Sequence, residues 1–378
     1  MTTIYLVRHA EAEGNVYRRI QGQYDSRVTP RGLLQLQALA GRFASVPLDA
    51  VYDSGLYRTR LTARAIAEGK DLAPRSDPRF LEINMGPWED LPFGLVEQTD
   101  PEELNRFSYH PELWKLDGAE TVQAVSDRCV AGLKDLARRH DGQSIAIATH
   151  GTALRTTLQR LFPGRASGHA DNTAVTVLTW EDGVFYLKSL YDNSHLEPQI
   201  STLAHQKWWR DPEGRTQDEN LWYRPMTKED DQAYMAFRQD AWDVIYPGVR
   251  GFDGPGFLAD AWRCAENEPR ALVFAMAQRT VAGCLQLNMS RGKEDGAGYI
   301  PFFYLKPEFR GRELGVQLIG HAISVFRPLG RTKLQLSVAP SNERAIRLYD
   351  KLGFRIKQAG KTRKKMSLHL MEMDISVG

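Results

Sequence analysis

Three cysteines in 378 residues, Cys129, Cys264 and Cys284, are too few and too scattered for a disulfide framework or a metal cluster. They read as small buried hydrophobes of a reducing compartment. Charge of either sign is scarcely in excess. Lys and Arg number 49 against 47 Asp and Glu, and a net +2 gives no electrostatic case for nucleic acid or an anionic membrane as a general partner. Long apolar runs are also missing, so no segment has membrane-spanning length. The opening "MTTIYLVRHAEAEGN" lacks the basic start and small-residue cleavage site of a signal peptide. Neither an internal repeat nor a low-complexity segment is found. A cytoplasmic protein is expected.

What the chain does have is enough length for two domains, with 42% hydrophobic and 25% charged residues. The first half alternates strand-like runs, "TIYLV" (3–7) and "SIAIAT" (144–149), with amphipathic helical ones. In "TPRGLLQLQALAGRF" Thr29 is a plausible N-cap and Pro30 stands in the first turn. This order implies a mainly parallel sheet covered on both faces. A hairpin around Glu181-Asp182-Gly183 closes the unit near His195. Residues 197–220 are polar but include or adjoin Trp208, Trp209 and Trp222, so a connector packed on its neighbours is expected. From "LWYRPMTKEDD" the pattern restarts. A hairpin, the strand "YIPFFYL", a helix from about 311, the strand "KLQLSV" and the helix of "SNERAIRLYDKLGF" describe an α+β unit.

Three suspicious segments follow strands: Arg8-His9 after "TIYLV", Ser54 to Arg58 after "AVY", and His150-Gly151 after "SIAIAT". Carboxyl ends of strands line the ligand crevice of an open α/β sheet, so two arginines and two histidines can converge there. His9, His150 and a carboxylate would be acceptable zinc ligands. Arg8 and Arg58 beside them would repel a divalent cation, yet they match a phosphate in charge and fork geometry. An anion site is therefore expected, with a histidine nitrogen attacking phosphorus. The leaving alkoxide needs a proton donor of raised pKa, and Glu82, in the apolar run Leu-Glu-Ile of "RFLEINMGPWED", is the candidate; a solvated loop acid is the alternative.

These motifs together resemble the histidine phosphatase superfamily over residues 1 to about 196. "LVRHAEAEGN" is similar to its Arg-His-Gly signature, with Ala10 in the glycine place, and "QGQYDSRVTPRG" to its phosphate-side loop. "DSGLYRTRLTA", "LEINMGPWED" and "ATHGTALR" resemble its second arginine, acid and second histidine segments, and "DNSHL" its closing segment. The resemblance implies a phosphoglycerate-mutase-like three-layer α/β sandwich. It implies His9 as the phosphorylated nucleophile, with Arg8, Arg58 and His150 on the phosphoryl group, and Glu82 as donor. Asn15, Gln21, Gly22 and Gly151 would touch phosphate or substrate. Ile83 stands directly after Glu82, where the related mutases carry a second charged residue, and the domain is compact. Hydrolysis of a small phosphomonoester is expected; a mutase-type phosphotransferase is the alternative.

"YLKPEFRGRELGVQLIGHAI" (304–323) runs from strand to helix with Arg310-Gly311-Arg312 at the turn. Free N–H groups at a helix start can cradle a pyrophosphate, and the two arginines would add charge. With "NERAIRLYDKLGF" downstream, residues 221 to about 375 resemble a GNAT-family N-acetyltransferase. The resemblance implies acetyl-CoA as co-substrate and a small-molecule or peptide amine as acceptor. Backbone groups of Arg310, Gly311, Arg312, Glu313, Leu314 and Gly315 would hold the pyrophosphate, and the strand ending at Leu305 would pair with pantetheine. Asn342 would sit beside the cofactor, and Tyr349 would protonate the departing thiolate. Glu313 departs from the usual glycine; turned outward it leaves the loop working, turned inward it weakens CoA binding. No general base is evident, so an acyl-CoA-binding regulatory unit is the competing reading. The expected division is 1–196, a connector 197–220, and 221–378.

Overall fold

The computed structural model describes residues 1–206, 219–360 and 368–377. Its first half runs β1 (Thr2–Arg8), α1 (Glu13–Tyr17), α2 (Pro30–Phe43), β2 (Ala50–Asp53), α3 (Tyr57–Ile66) and β3 (Arg75–Ser76). It continues through α4 (Phe93–Thr99), α5 (Pro101–Tyr109), α6 (Val122–Arg139), β4 (Ser144–Thr149), α7 (Gly151–Leu161), β5 (Val175–Glu181) and β6 (Val184–Asp192). The strands form one sheet in the order β3-β2-β4-β1-β5-β6. β1, β2, β3 and β4 run parallel; β5 and β6 are the antiparallel hairpin expected at the edge.

Both faces of this sheet are buried, and period two divides them. Ile4, Leu6, Ile145 and Ile147 face Leu133 and Leu136 of α6 and Leu154 and Leu158 of α7. Val7, Ala146 and Ala148 face Leu39 and Phe43 of α2 and Ala63 and Ile66 of α3. That is the three-layer sandwich. Thr29 caps α2 through Gly32 N at 3.0 Å, with Pro30 at the first position.

The second half runs β7 (Leu221–Pro225), α8 (Asp231–Ile245), α9 (Gly254–Ala265), β8 (Leu272–Ala277), β9 (Thr280–Asn288) and β10 (Ala297–Leu305). Then follow α10 (Gly315–Phe326), β11 (Lys333–Val338), α11 (Glu343–Leu352), β12 (Arg355–Gln358) and β13 (His369–Asp374). The sheet order is β12-β13-β11-β10-β9-β8-β7. α10 and α11 cover one face, α8 and α9 the other. The helix expected from about 311 begins at Gly315, because Gly311 and Glu313 adopt positive φ (82° and 58°) and hold the preceding turn open.

Trp208 and Trp209 lie outside the described residues. Trp222 stands in β7 and donates to Gln278 O at 2.6 Å. Residues 197–206 pack on the first half: Gln35 donates to Ile200 O (2.7 Å) and Thr202 Oγ1 (2.9 Å), and buried Asp171 accepts from Ser201 Oγ (2.6 Å). Among the described residues no helix is long and apolar enough to cross a membrane.

Candidate active sites

β1, β4 and β2 are neighbours in the sheet, and their carboxyl ends deliver His9, His150 and Ser54 to one crevice. The rings of His9 and His150 stand 5.2 Å apart, both buried. His9 Nδ1 lies 2.7 Å from Ala10 O. A carbonyl only accepts, so Nδ1 carries the proton and Nε2 keeps its lone pair. The main chain of His9 is fixed from both sides, its N–H on Thr149 O (2.8 Å) and its C=O on Asn172 Nδ2 (2.8 Å). Burial, then Arg58 and Arg8, hold the His9 pKa well below the usual imidazole value. His150 is held down in the same way, burial first and Arg58 next. Both rings are neutral at pH 7.

Arg58 is almost wholly buried, and burial pulls its pKa down to about 10, which leaves it a cation. Two carbonyls orient its fork, Gly22 O at 2.7 Å and Tyr24 O at 3.0 Å, while Nε donates to His150 Nδ1 at 3.3 Å. His150 Nε2 therefore carries the ring's one N–H proton and meets Ser54 Oγ at 2.8 Å. Arg8 is anchored by one nitrogen on Ala170 O (2.6 Å), and its guanidinium lies against Gly151. Its buried Nε finds no acceptor among the described residues. Two desolvated cations, one with an unused donor, form a site for an anion. Among the described residues no group of three His, Cys, Asp or Glu is placed to hold a metal.

Glu82 reaches the same place, but its setting differs from the apolar one expected. Its Oε1 accepts from Ala153 N (2.9 Å) and Ile83 N (3.0 Å), and Oε2 from Thr152 N (3.0 Å), at the start of α7. Asn15 Oδ1 is spent on Ala12 N (3.0 Å), and Gln21 Nε2 bonds Ser26. Gly22 serves through its carbonyl and through φ 48°, and a Cβ there would stand 2.1 Å from Glu89 Oε1. Sequence reasoning missed Glu89, which accepts from Gln23 N (2.9 Å), Tyr24 N (2.6 Å) and Met85 N (2.9 Å) and so holds the loop that orients Arg58. Asn172 was missed too.

In the second half β10 and β11 pair only from Ala297↔Lys333 to Ile300↔Leu336. Beyond that β10 stays with β9 to Leu305 and β11 stays with β13 to Val338, so the two strands part. The N–H groups of residues 311–315 find no acceptor among the described residues. Gly311, Arg312 and Glu313 also border a cavity of about 950 Å³ that the first half lines. This cradle fits a pyrophosphate.

Several side-chain expectations need correction. Arg310 is committed to Leu305 O (2.7 Å) and Asp240 (3.1 Å), and Arg312 to Glu219 (2.7 Å), so neither guanidinium stands ready for the cofactor. The same bond occupies the Leu305 carbonyl. Asn342 caps α11 by accepting from Ala345 N at 3.1 Å. Glu313 turns to Lys351 at 2.9 Å, the outward alternative. Leu314 is buried before Gly315, where a Cβ would stand 3.0 Å from Leu348 and 3.3 Å from Phe303. Tyr349 is buried against Phe303, and burial raises its pKa, keeping the phenol protonated.

The first crevice and its sheet are those of a phosphoryl-transfer enzyme of the α/β class. The chain belongs to the histidine phosphatase superfamily, branch 1, whose family description matches residues 4–193. Residues 222–354 match the acetyltransferase (GNAT) family, so the chain joins two enzymatic domains. Phosphoserine phosphatase 1 of Hydrogenobacter thermophilus is 34% identical over 200 residues, covering 52% of this chain and 95% of that one. The metal-independent phosphoserine phosphatase of Arabidopsis thaliana is 32% identical over 200 residues, covering 52% and 84%. Among solved structures, YhfR of Bacillus stearothermophilus is 31% identical with a TM-score of 0.51, covering 52% of this chain and 100% of that one.

Proposed function

We propose that the first domain hydrolyses small phosphomonoesters through a phosphohistidine on His9, without a metal, with phosphoserine the leading substrate. The observation that carries this is the neutral His9, its Nδ1 proton fixed on Ala10 O and its Nε2 lone pair free beside buried Arg58 and half-buried Arg8. Nε2 attacks phosphorus, the P–O bond to the leaving group breaks, and Glu82, which flanks Arg8 and Arg58, gives the alkoxide its proton. Water then attacks the phosphorus and gives one of its protons to Glu82, and the P–Nε2 bond breaks to release phosphate and restore His9. Arg8, Arg58 and His150 hold the phosphoryl oxygens. His150 can meet a phosphoryl oxygen in place of Arg58 once its ring proton sits on Nδ1, with Nε2 then accepting from Ser54 Oγ–H. Asn15 Nδ2, Gln21, Gly22 and Gly151 border the phosphate. The names of the two phosphoserine phosphatases support the substrate class, and one of them supports metal independence.

For the second domain we propose N-acetyl transfer to a small-molecule or peptide amine. Acetyl-CoA supplies the acetyl thioester, residues 311–315 hold its pyrophosphate on backbone N–H groups, and the parted strands make room for pantetheine. Tyr349, kept protonated, holds the proton for the sulfur. Boundaries of 1–196, 197–220 and 221–378 fit both sheets. Unpaired Cys129, Cys264 and Cys284 support a reducing, cytoplasmic setting.

Phosphate release from a panel of phosphorylated metabolites, with chelator present, tests the first reading. His9→Ala should abolish release while leaving the melting temperature in place. Glu82→Gln should slow alkyl phosphates by roughly 10²–10⁴-fold and aryl phosphates less. Equal losses for both would remove Glu82 from the donor role. Calorimetry with acetyl-CoA, and mass spectrometry of amines incubated with it, test the second reading.

A further inference from the structure

The two domains meet along a seam that runs close to the phosphatase site. Val16 and Tyr17 of α1 belong to the hydrophobic core of the second sheet. Opposite them, Gly320 of α10 has no room for a side chain, since a Cβ there would stand 2.4 Å from Tyr17 Cβ. About two helical turns further on, just past the end of α10, Arg327 points back into the first domain. Its Nη2 meets Glu13 Oε1 at 2.8 Å, with side chains only 14% and 9% exposed. Its Nε donates to Ile375 O at 2.8 Å. The Tyr24 side chain lies beside this guanidinium, and both line one small cleft.

Glu13 stands four residues after His9, and its other oxygen accepts from Arg27 N at 3.2 Å. Tyr24 gives its carbonyl to Arg58. Asp25, next in the loop, accepts from Tyr57 N at 2.9 and 3.1 Å and so anchors the start of α3, where Arg58 sits. The loop 21–28 is thus held by Glu89 on one side and by Glu13 and Tyr24 on the other. Only the second of these holds depends on the acetyltransferase domain.

We propose that Arg327, a residue of the acetyltransferase domain, is a positioning residue for the phosphatase reaction, fixing through Glu13 and Tyr24 the loop that aims Arg58 at the phosphoryl group. The proposal rests on the phosphohistidine reading of the first site. A plain clasp between domains would need only a bond across the seam. Here the partner carboxylate spends its second oxygen on the loop backbone, and Tyr24, which lies beside Arg327, gives its own carbonyl to Arg58. Arginine suits the place because its fork serves Ile375 O and Glu13 at once, which a lysine point charge does not.

The test uses the full chain and follows phosphate release, acetyl-CoA binding and melting temperature together. Arg327→Met should lower kcat about tenfold or more, since small misplacements of a phosphoryl-binding group are costly. Acetyl-CoA affinity should stay within about twofold of wild type, because the 311–315 loop lies at the opposite end of α10. That single change leaves Glu13 a lone buried charge, so its folding can suffer. In the double variant Glu13→Gln/Arg327→Met no such charge remains, and the amide can still accept from Arg27 N. This variant should regain the melting temperature but not kcat. Arg327→Lys should recover part of the rate by keeping a cation at Glu13. A double variant with wild-type kcat and KM would overturn the proposal and leave Arg327 a structural clasp. Wild-type protein that releases no phosphate and carries no label on His9 would instead sink the phosphohistidine reading, and this proposal with it.

Discussion

At the scale of single residues, the first site depends on groups that keep other groups in place. Glu89 touches neither histidine, yet three backbone N–H groups end on its carboxylate, two of them in the loop that orients Arg58. Glu89→Ala should lower kcat/KM for phosphate release by roughly 10²-fold without touching acetyl-CoA binding, because Arg58 then loses its fixed carbonyl acceptors. A steady-state comparison decides it, and a loss below twofold would mean that the loop holds itself. The histidines carry a pH consequence. His9, His150 and His321 are buried and neutral when folded, His321 with its pKa pushed down to about 3, and each would titrate near 6.5 once unfolded. Below about 6.5 the unfolded chain therefore binds more protons, so this stability is complete above that pH and drains away as pH falls toward the folded values. Denaturant unfolding should give a stability lower by about 4 kcal/mol at pH 5.5 than at 7.5. Catalysis should not lose its nucleophile in that interval, since His9 stays neutral while the protein is folded. Arg8, His9, Arg58 and His150 were legible because each follows a strand, and strand ends converge by topology. Glu89 was not, because the two loop N–H groups that donate to it lie about 65 residues away and no local pattern marks them.

Among the secondary-structure elements, what could be read and what could not divides along locality. The β5–β6 hairpin was visible in Glu181-Asp182-Gly183, and Asp182 and Gly183 indeed take φ of 49° and 82° at the turn. The start of α10 was misplaced by four residues because Glu313, where glycine is usual, still adopts φ 58°. The residue pattern shows only that glycine is missing; it does not show that the backbone conformation is kept. Keeping it costs about 1 kcal/mol, partly offset by an exposed pair with Lys351 worth less than that. Glu313→Gly should therefore raise stability slightly and leave acetyl-CoA affinity within about twofold, as the side chain faces Lys351. A tenfold gain in affinity would show that its charge reaches the pyrophosphate after all. Glycine at 320 is a second case that no sequence window reveals, because the atom it must avoid belongs to Tyr17 of the other domain. Gly320→Ala overpacks the α1–α10 contact and should cost about 2 kcal/mol. Phosphate release should slow as well, although α10 contributes nothing to the phosphatase crevice itself.

For the whole molecule the question is whether two catalytic domains are also two folding units. Length and composition suggested two, and each sheet has its own core. Yet Tyr17 of the first is buried in the core of the second, and Arg27 reaches Asp374 at 2.7 Å and Ser376 O at 2.7 Å. Arg18 donates to Asn220 Oδ1 at 2.8 Å, and a Cβ on Gly94 would stand 2.6 Å from Leu221 O, so α4 lies directly on β7. A seam of buried packing around the largely buried Arg327–Glu13 pair couples unfolding on its two sides, because opening either domain strips partners from the other. The full chain should thus unfold in one calorimetric transition. Ligand linkage sharpens this. Acetyl-CoA at about 100 times its Kd stabilises whatever unfolds with its site by about 2.7 kcal/mol. If the domains unfold together, acetyl-CoA should raise the single melting transition, and the temperature at which phosphatase activity is lost should rise with it. Two resolved transitions, with acetyl-CoA moving only one and the phosphatase inactivating at the unmoved one, would mean that the seam joins the domains without coupling their stability.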